Sequence, residues 1–166
     1  QDWLRRGEVV AAITSHPGPV QGCDTLPLGS LRYRATASPA YKTKWFADGV
    51  TAKALAKAPA ITFSEKNRLQ DRWVARQMPG SRPTCPTHRM ASSQAFVDAS
   101  LASLGWAVNP EPLVAAHLAS GALVELVPDT PLDVPLHWQF TRLAAPALAS
   151  LTQAIRTSAH RMLVSA

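Results

Sequence analysis

Residues 92–121 read SSQAFVDASLASLGWAVNPEPLVAAHLASG, and their spacing predicts helix, one short buried strand, then helix. Ser92 or Ser93 caps the first helix, whose apolar face is Phe96, Val97, Leu101 and Leu104, and Gly105 closes it. Residues 106–108 form the strand. Asn109 then serves as N-cap with Pro110 at the first helical position, Leu113, Val114 and Leu118 point inward, and Gly121 is the stop. Two helix N-termini therefore open at the two ends of one strand. Such places collect small anions, because unpaired backbone N–H groups and the helix dipole both favour negative charge there. The stretch implies a ligand-sensing module built on binding, not on catalysis.

Working outward, residues 8–14 (EVVAAIT) have the length and composition of a buried parallel strand. A proline-rich loop, SHPGP at 15–19, follows. Residues 24–38 form a long extended stretch interrupted by Pro27 and Gly29, as a crossover between two lobes would be. The segment 41–49 reads as a polar, irregular or short helical surface segment, Thr51 caps a short helix, and 60–63 is a short buried strand. Ser64 can cap the next helix, with Leu69, Trp73 and Val74 inward. Strands are expected at 84–90, 122–127 and 135–142, and a final amphipathic helix from Pro146 carries Leu148, Leu151, Ile155, Met162 and Leu163. The alternation of strands and helices gives an α/β class with a largely parallel sheet. Proline-rich crossings near 24–34 and 128–136 point to two lobes: 1–30 with 136–166, and an inserted 31–135. The opening QDWLRRG reads as the last turns of a helix stopped at Gly7, so a fragment of a longer polypeptide is expected, with elements of the first lobe preceding it.

Composition narrows the classes. The 166 residues are 46% hydrophobic and 17% charged, enough for a real core. A net charge of +6 raises the question of nucleic acid, but the basic residues are scattered and not interleaved with aromatics as a single-strand binder needs. Cys23 and Cys85 lie far apart without metal-ligand spacing, so no metal or cofactor is expected and both read as reduced residues of a cytosolic core. There is no signal peptide pattern and no run of about 18 apolar residues that would span a membrane.

The chemistry-bearing residues do not assemble a catalytic set. His16, His88, His117 and His160 are dispersed, Cys85 lacks a neighbouring base, and Asp98, Glu111 and Asp133 show no acid–base spacing. No glycine-rich phosphate loop, GxSxG or HExxH occurs. The positive features are helix starts and strand ends: Thr14, Ser64, Ser92, Ser93 and Asn109, with His137 on the return strand at the inferred interlobe boundary. Each alone is an ordinary cap; together they favour a ligand site beyond strand ends.

Nearly the whole chain resembles the effector-binding domain of LysR-type transcriptional regulators. The stretches that carry the resemblance are LRRGEVVAAIT (4–14), PVQGC (19–23), PLGSLRYRATASPAY (27–41), DGVTAKALAKAPAITF (48–63), LQDRW (69–73), SSQAFVDASLASLGWAVNPEPLVA (92–115), ASGALVELVP (119–128) and LDVPLHWQ (132–139). LGWAVNPEPLVA and VPLHWQ are specific to the branch governing basic amino-acid export, LysG in actinobacteria and ArgP in enterobacteria. The resemblance implies a two-lobe fold of the periplasmic-binding-protein type II kind with a partial first lobe. It also implies a small amino-acid effector such as lysine or arginine, control of an exporter, a cytoplasmic homo-oligomer (dimer or tetramer), and DNA contact only through an N-terminal winged helix-turn-helix outside this sequence. Carried over by position, the effector-facing residues are Thr14, Ser64, Ser92, Ser93, Gln94, Asn109 and His137. Where that branch has Ser/Thr-x-Glu-Gly/Ala-Phe, this chain has Ser92-Ser93-Gln94-Ala95-Phe96, which sets a neutral amide in place of a carboxylate. A transport solute-binding protein shares the fold and is the alternative; an upstream export signal would mark it. An enzyme on the same fold would need the acid–base or nucleophile set that is missing.

Overall fold

One strand, β2 (Cys23–Ala37), is 15 residues long, with its first part in one compact unit of the chain and its second part in the other. The computed structural model describes residues 2–18, 20–63, 68–81 and 83–165. Two compact units divide the chain: Gln1–Arg32 with Asp133–Ala166, and Tyr33–Leu132.

In the first unit, α1 (Asp2–Arg5) buries Leu4 against Val20 and Cys23. β1 (Ala11–Thr14) pairs antiparallel with β7 (Leu132–Thr141), in a register that runs from Ala11 opposite Phe140 to Thr14 opposite His137. β7 in turn lies beside β2. α7 (Ala149–Met162) follows a short 3-10 turn at Arg142–Ala144, and Val164 then returns to exchange two backbone hydrogen bonds with Ser30. This return explains the glycine inside β2. Gly29 has φ of +115°, and a Cβ there would stand 2.8 Å from the Val164 carbonyl oxygen, so no other residue fits without moving the backbone.

The second unit is a short helix–strand succession. α2 (Pro39–Trp45) is capped by Ser38, whose Oγ accepts from the Tyr41 N–H, and α3 (Ala52–Leu55) by Thr51. β3 (Ala60–Thr62) pairs parallel with β4 (Thr87–Arg89), and Ala60 also bridges Trp106 in parallel. α4 (Leu69–Gln77), α5 (Ser93–Leu101), β5 (Ala107–Pro110), α6 (Glu111–Ser120) and β6 (Val124–Glu125) complete it. β5 and β6 both pair antiparallel with the second part of β2. The core is Ile61, Phe96, Ala99 and Ala107 on one side of α5, and Val97, Val114 and Leu123 on the other. Trp73 and Trp106, both fully buried, pack with centroids 5.6 Å apart.

The α/β class holds, but among the described residues the sheet is not largely parallel: β1, β5 and β6 are antiparallel to their partners, while the β3 pairings are parallel. Short apolar runs report burial, not strand direction. Nor is β1 buried on both faces, since Val10 before it and Ile13 within it are each 54% exposed. Helix faces also narrow. Leu104, Leu113, Leu151 and Met162 are exposed, and Gln70 is buried in α4 in place of Leu69, where its amide donates to the Ile61 carbonyl. The segment 41–49 is short helical through Trp45 and mostly exposed, as expected, but it buries Tyr41 and Phe46, and the Tyr41 hydroxyl donates to the Pro59 carbonyl at 2.6 Å. The strands expected at 84–90 and 122–127 shrink to three exposed and two half-buried residues, and the last helix starts at Ala149 rather than Pro146.

Nor does Gly105 end α5. The helix closes at Ala102 and Ser103, the latter at φ of +61°. Gly105 instead lets the chain pass close to β3: a Cβ there would lie 2.8 Å from Ile61 Cγ1 and 2.9 Å from the Pro59 carbonyl oxygen. Gly105→Ala is therefore expected to destabilise the protein by about 1–3 kcal/mol, the usual cost of overpacking. Thermal unfolding checks this as a fall in Tm of about 2–4 °C per kcal/mol.

Candidate functional site

The start of α5 is built by a local rule. Ser92, in extended backbone (φ −145°, ψ 152°), turns its Oγ onto the Ala95 N–H at 3.1 Å and so takes up one of the unpaired helix donors. Ser93 is the first helical residue and Gln94 the second; both side chains face solvent. Gln94 Nε2 donates to Asp98 Oδ1 one turn on, at 3.1 Å. No acidic side chain occupies the first turn of α5, so its own sequence leaves the positive end of the helix dipole uncompensated.

Asn109 does not belong to this group and is not an N-cap. It is a β5 residue opposite Arg34 of β2, fully buried, and the capping position of α6 is Pro110, with no side-chain bond. Pairing of β5 continues through Pro110, opposite Tyr33, and strand alternation turns Asn109 inward. Its Nδ2 donates to Thr36 Oγ1 at 3.0 Å and reaches Ser100 Oγ at 3.5 Å, while Oδ1 has no partner among the described residues. Ser100 lies near the far end of α5, about 12 Å along the axis from Ser92 at 1.5 Å per residue. Ser64 falls outside the described residues.

In the first unit, Thr14 and His137 are brought together as cross-strand partners. Thr14 is buried, and its Oγ1 accepts from the His16 N–H at 3.1 Å. His137 Nδ1 is buried with no partner among the described residues. Gln139, which sequence reading passed over, is fully buried and donates from Nε2 to the carbonyls of His16 (3.2 Å) and Gly18 (2.9 Å), pinning the turn after Thr14. The signal available was a polar residue set between Trp138 and Phe140 in an apolar strand. The predicted residues thus form two sets, Thr14 with His137 in one unit and Ser92, Ser93 and Gln94 in the other, with Asn109 separate.

Sequence reading also missed the ion cluster of the second unit. Arg34 binds Glu111 and, at 2.9 Å, Glu125; the Lys42 ammonium donates to the Glu125 carbonyl at 2.8 Å. Burial alone would lower the Arg34 pKa, but its bonds to the two carboxylates more than offset this and the net direction is upward. The groove over this cluster has a volume of about 640 Å³, yet Arg34, Lys42 and Glu125 all spend bonds inside it. It therefore reads as an internal brace for the second part of β2. An apolar groove of about 410 Å³ in the first unit, lined by Ile13, Leu136, Leu151, Ile155 and Met162, has little polar surface to orient a small polar ligand. Cys85 is half-buried, not core, and burial pushes its thiol up to about 11, with the Asp71 charge adding to the rise. What the site residues supply is hydrogen-bond donors, hydroxyls and a helix dipole, which is the chemistry of holding a small carboxylate.

The family model that matches, described as the LysR substrate binding domain, covers residues 1–160. The chain is 40% identical to the transcriptional regulator ArgP of Pseudomonas fluorescens over 158 residues, which are 95% of this chain and 52% of that protein. Among solved structures it is similar to the C-terminal domains of a LysR family protein from Agrobacterium tumefaciens (53% identity, TM-score 0.96, 99% of this chain and 79% of that one). It is also similar to full-length LysG from Corynebacterium glutamicum with the effector Arg bound (33% identity, TM-score 0.85, 98% and 55%). The chain spans about half the length of the curated regulators it matches.

Two outcomes follow from the local geometry. Ser92→Ala should cost about 1 kcal/mol in urea unfolding, the usual worth of an N-cap, whereas Ser93→Ala should leave stability within about 0.5 kcal/mol. Cys85 should resist alkylation by iodoacetamide at pH 8, where a thiol of pKa about 11 is almost wholly protonated.

Proposed function

The chain belongs to the LysR substrate-binding domain family, and on that premise we propose that it is the sensing part of a regulator that answers to a basic amino acid, arginine or lysine. The coarser statement is established by kinship: this is the effector-binding domain of a LysR-family transcriptional regulator, it has the periplasmic-binding-protein-like type II fold of those domains, and that family is not enzymatic. The amino-acid reading rests on the LysG relative that binds Arg and on one local observation. The first turn of α5 presents helix N–H groups and the Ser92 and Ser93 hydroxyls with no acidic side chain to oppose an incoming carboxylate.

In this reading the start of α5 holds an effector carboxylate, and Thr14 with His137, cross-strand partners of the first unit, is taken by itself as an effector-facing pair. Gln94 is the residue that tunes selectivity. A neutral amide accepts a hydrogen bond from an ammonium or guanidinium group but adds no Coulomb attraction, so discrimination for cationic side chains is milder than a glutamate would give. Asn109, buried and bonded to Thr36 through Nδ2, helps hold β5 to β2 and keeps its Oδ1 without a partner among the described residues. DNA binding through an N-terminal helix-turn-helix, assembly into dimers or tetramers, residence in the cytoplasm and control of an exporter gene complete the proposal. Among the described residues no helix is long and apolar enough to cross a membrane. Whatever the effector, it can shift the regulator only by as much as its affinity differs between two conformations.

Titration calorimetry on the protein with L-arginine, L-lysine, L-histidine, neutral L-amino acids and L-argininamide is the test. Arginine or lysine should bind, argininamide should bind at least about tenfold more weakly because the carboxylate is gone, and Gln94→Glu should tighten the cationic ligands by up to about fivefold, the range of a solvent-exposed ion pair. A folded protein that binds none of these amino acids removes the amino-acid reading.

A further inference from the structure

A polar node lies inside the apolar core of the second unit. Asn109 of β5, Thr36 of β2 and Ser100 of α5 are each fully buried. Asn109 stands opposite Arg34 and Thr36 opposite Ala107, so Asn109 and Thr36 share one face of the ladder as diagonal neighbours. The amide group has two hydrogens to give and meets two hydroxyl oxygens: Nδ2 donates to Thr36 Oγ1 at 3.0 Å and reaches Ser100 Oγ at 3.5 Å. Ser100 spends its own hydrogen on the Phe96 carbonyl one turn back, at 2.8 Å, which leaves its oxygen as an acceptor. Apolar neighbours set how deep α5 sits, with Phe96 and Ala99 on one side and Val97 on the other, but apolar contact has no direction. The contact to Ser100 has one.

We propose that Asn109 is a positioning residue for the carboxylate site at the start of α5, setting the rotation of that helix about its axis through Ser100. This role rests on the reading of the α5 start given above. Ser93 precedes Ser100 by seven residues, which is two helical turns to within about 20°, so the two hydroxyls lie on one stripe of the helix. Whatever fixes the azimuth at Ser100 therefore also fixes the direction of Ser93 Oγ and of the first-turn N–H groups. The tolerance is small. A rotation of about 20° carries each Cα roughly 0.8 Å around a helical cylinder of radius about 2.3 Å, and side-chain oxygens further. Donor–acceptor distances of good hydrogen bonds span only about 0.5 Å, so such a turn is enough to misplace the donors. Because the other amide hydrogen goes to Thr36, the helix is referenced to β2 as well as to β5.

Ser100→Ala removes the acceptor, keeps the Asn109–Thr36 bond and installs the better helix former, so a looser α5 cannot then come from helix propensity. Hydrogen exchange with mass spectrometry on the unliganded protein should show the amides of 93–101 exchanging about tenfold faster, with α3 and α7 as they were. Asn109→Ala should do the same, and Ser100→Ala is the milder variant that serves if it does not fold. Calorimetry supplies the readout that lost stability alone does not move: the ratio of the Kd for L-argininamide to that for L-arginine should fall at least about fivefold in both variants, because the carboxylate contacts are the ones misplaced. Val134→Ala, a core truncation in the first unit, should lower Tm yet keep both α5 exchange and that ratio. Unchanged exchange of α5 in Ser100→Ala, a rise spread evenly over the second unit, or an affinity loss equal for the two ligands would each overturn the role of Asn109. A parent protein that binds no amino acid overturns the carboxylate site itself, and the role with it, even where α5 exchange rises as expected.

Discussion

Backbone hydrogen bonding along β2 is the constraint on which the other features depend. A 15-residue strand carries a donor and an acceptor at almost every position, and the buried ones must find partners. β7 lies alongside it in the first unit, Val164 reaches it at Ser30, and β5 and β6 pair with its second part. Each partner brings a consequence. The approach of Val164 demands glycine at 29, and the pairing of β5 through Pro110 withdraws Asn109 from the helix it precedes. The side chains of Arg32 and Arg34 lie on one face of the strand, the first bound to Asp133 and the second to Glu111 and Glu125.

Rules that act over three or four residues were legible. Ser92 and Thr51 cap their helices, Gly121 ends α6 in the left-handed conformation at φ of +76°, and the extended stretch around Gly29 is one continuous strand. Features set by distant partners were not. Strand direction depends on the neighbour across the ladder, so an apolar run such as 8–14 reads the same for either sense. Asn-Pro before an apolar periodic run is a sound helix start locally, yet here the ladder to β2 claims the asparagine. The Arg34 cluster joins residues 77 and 91 positions apart, and no local spacing announces it. Leu113 and Leu151 fit an inward stripe by period, but α6 and α7 bury narrower faces than their composition allows.

The candidate site was legible to the same degree and for the same reason. The Ser92 cap of α5 is local and stands where expected, while Asn109 is drawn into the β2 ladder and Ser64 lies outside the described residues. Gln139, too, is set by distant partners: it touches no candidate ligand group, but without its two bonds to the 16–18 turn, the backbone leaving Thr14 would lose its anchor. Buried amides of this sort are costly unless satisfied, so their presence reflects a geometry that must be held.

The balance of these forces bears on how a sensor can answer a weak signal. A carboxylate at the start of α5 gains charge-assisted hydrogen bonds of about 1.5–3 kcal/mol each and a dipole contribution of about 0.3–1 kcal/mol. Only the part of this that differs between two conformations shifts a population, and a few kcal/mol is the most that a small effector commonly supplies. The free-energy gap between the two conformations must therefore also be small. A solvent-screened ion pair is worth about 0–1 kcal/mol, well within that range, whereas the half-buried Arg34, bound to two glutamates, is held more firmly.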